Sequence, residues 1–483
     1  MTRPGSNNAA WPGTGSSRTR SGSNAIVAPL VCLGLMVAGL AWLSSGFPYG
    51  AAMEATPWAP YITLAILAGI VFLWLVSRLR HQPSSARLLF CIFGVGLALR
   101  LAMFSSTPVF EDDWYRYLWD GASLAAGIDP YSHPPAAAAP VDAFGAKRPL
   151  PDDPNLAVLQ TLAAENAEAH RRINYPYLST IYPPIAQAAF ALSATVAPFS
   201  FTAWRGVLLL SDLAAFFILL QVLRIMGRPL ILSAIYWLNP LIILQVFGAG
   251  HMDGLLVAPL LAALWMTLSR RPGFAGTALS LAVGVKLWPI VLFPALAMGY
   301  WRDWPALLRL SAVFAGLVAL VLLPQVFRAI QPDDGLGAYS TSWQTHAFLF
   351  PLISNGLFGW LERADTLARL VIAGTISTVA IATALGKGPM TGERLVFAWL
   401  IVIGALIFLS PTGYPWYLVW TAPLLPLIAN RGLLFMSVTW PLYYFRFVLG
   451  DGDTLYLWLI VPTAFLPALY FFVRDALFAR PRP

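Results

Sequence analysis

Runs of apolar residues separated by short polar connections fill almost the whole chain. They occupy 25–43, 59–77, 87–105, 181–198, 203–223, 229–248, 254–268 and 274–300. Further runs follow at 305–327, 366–385, 395–410, 414–429, 431–449 and 454–473, with a weaker one at 346–360. Most approach the ~20 residues that a helix needs to cross a hydrocarbon core. None shows the alternating ten-residue segments of a membrane β-barrel. The pattern predicts an all-α fold, a polytopic transmembrane bundle of about 13 helices.

Composition agrees. Of 483 residues, 58% are hydrophobic and 11% charged, with a mean hydropathy of +0.69. An ordinary soluble domain carries about 25% charged residues. The net charge of +8 fits basic residues gathered in cytoplasmic loops and does not call for nucleic acid. Cys32 and Cys91 both lie in apolar runs, so no disulfide framework or thiolate metal site is expected.

Residues 1–24 read as a disordered tail rich in Gly, Ser, Asn and Arg. Then come N-terminal helices at 25–105, a long loop at 106–182, a helical core at 183–473 and a C-terminal tail at 474–483. The run from Ala25 to Leu43 is longer than a usual signal segment and reads as a retained first helix. Arg3, Arg18 and Arg20, and then Arg78, Arg80 and Arg87, occur without acids, which places both segments in the cytoplasm. The third helix would then deliver the 106–182 loop to the external face. That loop holds ten acidic and five basic residues. Strict alternation beyond it would put Arg224 and Arg228 outside, against their charge, unless the segment near 183–198 is short or re-entrant. Prolines at 240, 259, 289, 294, 423 and 441 break the later runs. Non-helical backbone at membrane depth survives only where it lines protein or a cavity.

Chemistry concentrates in a few places. Glu111-Asp112-Asp113-Trp114-Tyr115-Arg116 puts three adjacent carboxylates where an apolar helix ends. Like charges crowded beside lipid raise at least one pKa and are tolerated mainly where chemistry uses them. The competing reading is an acidic, aromatic interfacial cap. Gly250-His251-Met252-Asp253 sets a His and an Asp two apart on a Gly-rich break, as a phosphate or hydroxyl contact, half a metal site or a polar turn. Lys286 lies within an apolar run and marks a functional or ion-paired position, or else snorkels. Arg100, Arg205, Asp212 and Arg446 are further charges in or near apolar segments. Pro415-Trp416-Tyr417 opens another aromatic, Pro-broken helix start.

In order, these segments resemble the GT-C class of membrane glycosyltransferases. Within it they resemble polyprenol-phosphate-mannose-dependent mannosyltransferases, which include the catalytic subunit of GPI mannosyltransferase I. The matching pieces are Asp112-Asp113-Trp114-Tyr115 through Asp120-Gly121, Gly127-Ile128-Asp129-Pro130-Tyr131, Tyr182-Pro183-Pro184, Asn239-Pro240-Leu241, Gly250-His251-Met252-Asp253, Lys286-Leu287-Trp288-Pro289 and Pro415-Trp416-Tyr417-Leu418-Val419-Trp420. The resemblance implies a GT-C bundle whose large external loop carries the catalytic acid. It implies transfer of a sugar, mannose by the same resemblance, from a polyprenyl-phosphate donor to a lipid or glycan acceptor, usually with inversion. Asp112 falls on the family's leading Asp and is the expected base, with Asp113 the second choice. Glu111, Tyr115, Arg116, His251, Asp253, Lys286, Arg100, Trp416 and Tyr417 are the expected substrate contacts. No cofactor, no metal and no nucleic-acid partner is expected, and the absence of a signal or retention motif suits a bacterial plasma membrane. This chain departs from the family in its Glu-Asp-Asp motif, its extra N-terminal helices and its Ala-rich stretch from Pro134 to Pro140. The alternative from another class is a transporter or flippase, but no internal repeat of the acidic loop or lysine motif supports it.

Overall fold

The structure, a computed structural model, describes residues 24–79, 81–139, 141, 149, 152–328 and 335–478. The expected N-terminal tail lies outside the described residues, except for Asn24, which opens the first helix.

Within lipid every backbone amide must bond inside its own segment, and the apolar runs accordingly fold as helices. The first three are α1 (Asn24–Ser44), α2 (Trp58–Leu79) and α3 (Ala86–Ala102). The loop that follows is itself helical, with α4 (Asp113–Ala125), α5 (Pro154–Glu165) and α6 (Ala167–Arg171). It has its own small core of Tyr115, Trp119, Ile128, Ala138, Leu159, Ala163 and Ile173. The Ala-rich stretch joins this unit: the Ala136 amide donates to Pro176 O, and Pro135 O accepts from His170 Nε2, both at 2.8 Å. Two further helices, α7 (Pro184–Val196) and α8 (Phe201–Ile225), lead into the core. Gly121 of α4 meets α7 so closely that a Cβ there would lie 2.4 Å from Phe190 O.

Among the described residues, nine helices are long and apolar enough to cross a membrane, or ten if the bent pair Leu230–Trp237 and Pro240–Gly248 is one span. Four shorter apolar helices accompany them, Pro184–Val196, Met252–Leu268, Pro272–Val285 and Trp288–Met298. The expected count of about 13 is therefore met only if short helices are included. The run at 414–429 forms no long helix at all, but a tight turn of helix over Pro415–Trp420 followed by turns. Helix α7 has 13 residues, about 20 Å at 1.5 Å per residue, too short to cross. No strand occurs among the described residues; one bridge pairs Thr345 with Thr412. The last helix continues through the expected boundary at 474 to Phe478.

Leu35, Trp42, Phe90, Leu210, Leu320 and Leu370 are exposed on the outer surfaces of spanning helices, the lipid-facing positions of a multi-pass membrane protein. The polar groups turn inward. Ser44 Oγ, at the end of α1, accepts the Thr107 amide at 2.9 Å. The α1–α2 connection therefore lies beside the 106–182 loop, and Phe47 and Tyr49 pack on Phe110 and Tyr115.

Candidate active site

The acidic cluster is aimed by the backbone that precedes it. Buried Arg205 of α8 donates to the carbonyls of Phe104, Ser106, Phe247 and Gly248, tying the start of the loop to the break before His251. Phe110 has φ +59, in the left-handed region, and packs against Phe47 and Phe447. A non-glycine residue in that region carries strain that its surroundings must hold. Glu111 follows it and points inward, 6% exposed.

Asp112 occupies the position before the first turn of α4, where an Asp usually accepts a backbone amide. Its carboxylate makes no such cap. Instead Asn174, from the far end of the loop, donates Nδ2 to Asp112 Oδ1 at 2.9 Å and to Asp113 Oδ1 at 2.7 Å. Burial raises the Asp112 carboxyl above its ordinary range. Burial, reinforced by the neighbouring Asp112 charge, pushes Asp113 up to about 6, while Asn174 and Lys286 act in the opposite direction. Glu111 is raised well above the usual range by burial and then by Asp113 and Asp112.

His251 faces these acids. Gly250 before it has φ +81, and a Cβ there would meet the Phe201 ring at 2.4 Å, so only glycine fits. Trp204 Nε1 donates to Gly250 O at 2.7 Å, and the His251 amide donates to Gln245 O at 3.1 Å. The imidazole stacks on Trp416 at 3.7 Å between centroids. Its Nε2 lies 3.6 Å from Glu111 Oε2 and its Nδ1 3.8 Å from Asp113 Oδ2.

Lys286 caps the end of the helix Pro272–Val285 in extended conformation. Its Nζ donates to Asp253 Oδ1 at 2.9 Å, and Trp420 Nε1 donates to the same oxygen at 2.6 Å. The ammonium stands 4.3 Å from the Tyr417 ring centroid and 5.1 Å from that of Trp420. A quarter of the Lys286 side chain stays exposed. The site thus sets a carboxylate pair opposite one cation in an aromatic frame. Among the described residues, no three His, Cys, Asp or Glu side chains form a group that could hold a metal ion.

The chain matches the family described as alpha-(1->6)-mannopyranosyltransferase, N-terminal domain, over residues 4–302, well over half its length. It belongs to that family. It also matches glycosyltransferase family 87 over residues 180–441. Similar curated relatives are GPI mannosyltransferase 1 of Neurospora crassa, 37% identical over 90 residues, and of Aspergillus fumigatus, 34% identical over 77 residues. These matches cover 19% and 16% of this chain and 17% of each relative. No solved structure matches the chain.

The mannosyltransferase motifs divide into those at the site and those that brace it. Glu111, Asp112, Asp113, His251, Asp253, Lys286, Trp416 and Tyr417 come together. Tyr115 and Arg116 face elsewhere. Tyr115 stacks on Trp114, and its hydroxyl accepts Arg172 Nη1 at 2.7 Å. Arg116 pairs with Asp120 at 2.8 Å and donates to Leu178 O at 3.0 Å. Gln187 Nε2 donates to Asp120 at 3.1 Å, so Asp120-Gly121 locks α4 onto α7. Arg100 is not brought to the acids. Fully buried, it pairs with Asp212, donates to Gly96 O and Trp237 O, and lies 3.5 Å over the Trp237 ring. Asn239 accepts the Leu241 amide and donates to Ser437, holding the helix break.

Sequence reasoning missed Asn174. A lone Asn beside a Pro-rich turn carries no signal for a contact 61 residues away. It also noted Arg446 without placing it: Arg446 lowers the Glu111 carboxyl's affinity for protons and pairs with Asp451 at 2.6 Å.

Proposed function

We propose that this protein moves a mannosyl unit from a polyprenyl-phosphate donor to a hydroxyl of a lipid or glycan acceptor, on the external face of a bacterial plasma membrane. The observation that carries this reading is the carboxylate pair bridged by Asn174, set across from Lys286 in a frame of Trp416, Tyr417 and Trp420. A base must hold a proton affinity near the working pH to take the hydroxyl proton as the bond forms. Asp113, held at about 6, meets that requirement. It also lies nearer the fields of Lys286 and Asp253 than Asp112 does. Asp113 is therefore the base in this reading, although the resemblance favoured Asp112, and Asp112 raises Asp113's affinity for the proton.

In the step itself, the acceptor O–H gives its proton to Asp113 and its oxygen bonds to the anomeric carbon. The bond from that carbon to the phosphate oxygen breaks, and the electron pair leaves on the phosphate. Lys286 balances that charge, and Asp253 with Trp420 holds the ammonium in place. Trp416 holds the His251 ring by stacking, and Tyr417 faces the Lys286 ammonium, so both frame the reacting groups. The external placement is supported by the arginines without acids in the N-terminal tail, three spans before the cluster, and in the 78–87 connection, one span before it.

The test is turnover of labelled polyprenyl-phosphate mannose by the purified protein in nanodiscs, beside Asp113→Asn and Asp112→Asn. Turnover by the wild type, with a loss of ~10²–10⁴-fold in Asp113→Asn, is expected. A larger loss in Asp112→Asn would move the base one residue back. No turnover with any polyprenyl-phosphate sugar would overturn the reading.

A further inference from the structure

His251 stands apart in the site because its ring is stacked but its nitrogens are unbonded. It is 1% exposed, and neither nitrogen has a hydrogen-bond partner. A buried imidazole without partners costs free energy and is retained where its geometry is used. Each nitrogen faces a different carboxyl group, Nε2 toward Glu111 Oε2 at 3.6 Å and Nδ1 toward Asp113 Oδ2 at 3.8 Å. The ring plane is fixed by stacking on Trp416, itself stacked on Tyr414. Glu111 Oε1 is also buried without a partner. Catalytic hydrogen bonds are often this long or poorly aligned until the reacting complex tightens them. A contact to sugar or phosphate, the role expected for His251 from its motif, would leave the opposed carboxyls unexplained.

Two proton arrangements fit this line. In one, an ionised Glu111 accepts from Nε2–H and a protonated Asp113 donates to Nδ1. In the other, Glu111 is the neutral acid, donates its O–H to Nε2, and leaves Nδ1–H to donate to the Asp113 carboxylate. Burial and the adjoining acids raise the Glu111 carboxyl's affinity for its proton, with Arg446 acting the other way, which favours the second. Resting on the function proposed above, we infer that Glu111, His251 and Asp113 form one hydrogen-bonded unit, in which Glu111 is a positioning residue that fixes the Nδ1–H tautomer of His251 and so orients the Asp113 base.

The groups facing the unit are known. Asp112 lies beside both acids, Lys286 and Asp253 are on the Asp113 side, and Lys286 also acts on His251. Arg446 faces Glu111, as do the hydroxyls of Tyr61, Tyr443 and Tyr444. Tyr117 OH donates to Asp113 Oδ2 at 3.5 Å, and Tyr175, Tyr182 and Tyr414 also face Asp113. Burial raises the Tyr117, Tyr175, Tyr182 and Tyr414 hydroxyls further above neutral pH, which leaves the unit's own members and Asp112 to titrate there.

Two measurements test the inference. The first is ¹⁵N spectroscopy of histidine-labelled protein in lipid, with His251→Asn identifying the signal among the five histidines. Protonation at Nδ1 alone is expected at neutral pH, with a shift toward Nε2–H in Glu111→Ala. Nε2–H in the wild type overturns the inference. The second is the pH profile of kcat/KM. Glu111→Ala and His251→Ala should each lose about 10- to 100-fold and move the acid limb upward, because Asp113 loses a donor to its charged form. Glu111→Gln, whose amide N–H can replace the carboxyl O–H, should recover at least tenfold of the Glu111→Ala loss. Equal loss in both Glu111 variants, or an unmoved limb, overturns it as well. A wild type without turnover defeats the function proposed above, while the tautomer measurement still decides the unit.

Discussion

Asn174 donates to Asp113 Oδ1 at 2.7 Å, joining the last segment of the 106–182 loop to the first turn of α4. The same amide reaches Asp112 at 2.9 Å, so one side chain holds two carboxylates that would otherwise repel each other. Hydrogen bonds to an ionised group favour that form, and Asn174 opposes the rise that burial imposes on both acids. Neighbouring Arg172, on Tyr115 OH and paired with Glu168, keeps this segment against α4.

Asn174→Ala should therefore lower kcat more than it raises KM. A hydrogen bond to a charged group contributes about 1.5–3 kcal/mol, or about 10- to 100-fold in rate, and the acid limb of the profile should move up. Steady-state kinetics from pH 5 to 8 checks this. An unchanged kcat would mean that Asn174 only packs the loop.

Activity and stability should run in opposite directions with pH. With Asp113 at about 6, kcat/KM should fall as pH drops through that value, because the base becomes protonated. For stability, the native acids hold protons that the unfolded chain has lost between about pH 4 and 6. Glu111 and Asp112 shift in the same direction as Asp113. The native state thus binds more protons in that window, and stability declines as pH rises through it. Thermal unfolding in detergent across the window, alongside the rate profile, reads both slopes. A melting temperature that rises with pH there, absent in a triple Glu111→Gln, Asp112→Asn, Asp113→Asn variant, would contradict the raised affinities.

Lys286→Met should raise KM for a lipid-phosphate donor about 10- to 100-fold, the effect of one lost charge-assisted hydrogen bond. It also leaves Asp253, 1% exposed, with only Trp420 as partner. Asp253→Asn in the Lys286→Met background removes that orphaned charge and should restore folding without restoring the KM. Donor titrations of both variants separate the two effects. Recovery of KM in the double variant would show that the loss came from the buried acid.

Much of this arrangement was legible from the residue pattern. Long apolar runs give helices wherever lipid leaves the backbone no other partner, and acids at a helix mouth or a lysine in an apolar run are costly enough to stand out. The helix count was less legible, because hydropathy does not separate a 13-residue helix such as α7, or the turns after Pro415, from a full span. Local patterning also carried no sign that Tyr115 turns toward Arg172, or that Asn174 folds back on the acids. Those facts arise from contacts across dozens of residues.

Arg100 and Asp212 show the same limit, and lead to the last prediction. From sequence, Arg100 lies a few turns below the acids and fits a phosphate contact. In the fold its guanidinium faces Asp212, which also accepts from Tyr236. Both charges are almost fully buried. Removing one partner of such a pair strands the other and costs about 3–5 kcal/mol, whereas replacing both by apolar residues is often near neutral. Arg100→Leu and Asp212→Leu should each lower the melting temperature sharply, and the double variant should recover most of that loss. In all three, the donor KM of the folded fraction should stay within about threefold of wild type, because the pair braces α3 against α8. A raised donor KM in an Arg100→Leu protein of normal stability would instead return this arginine to the phosphate.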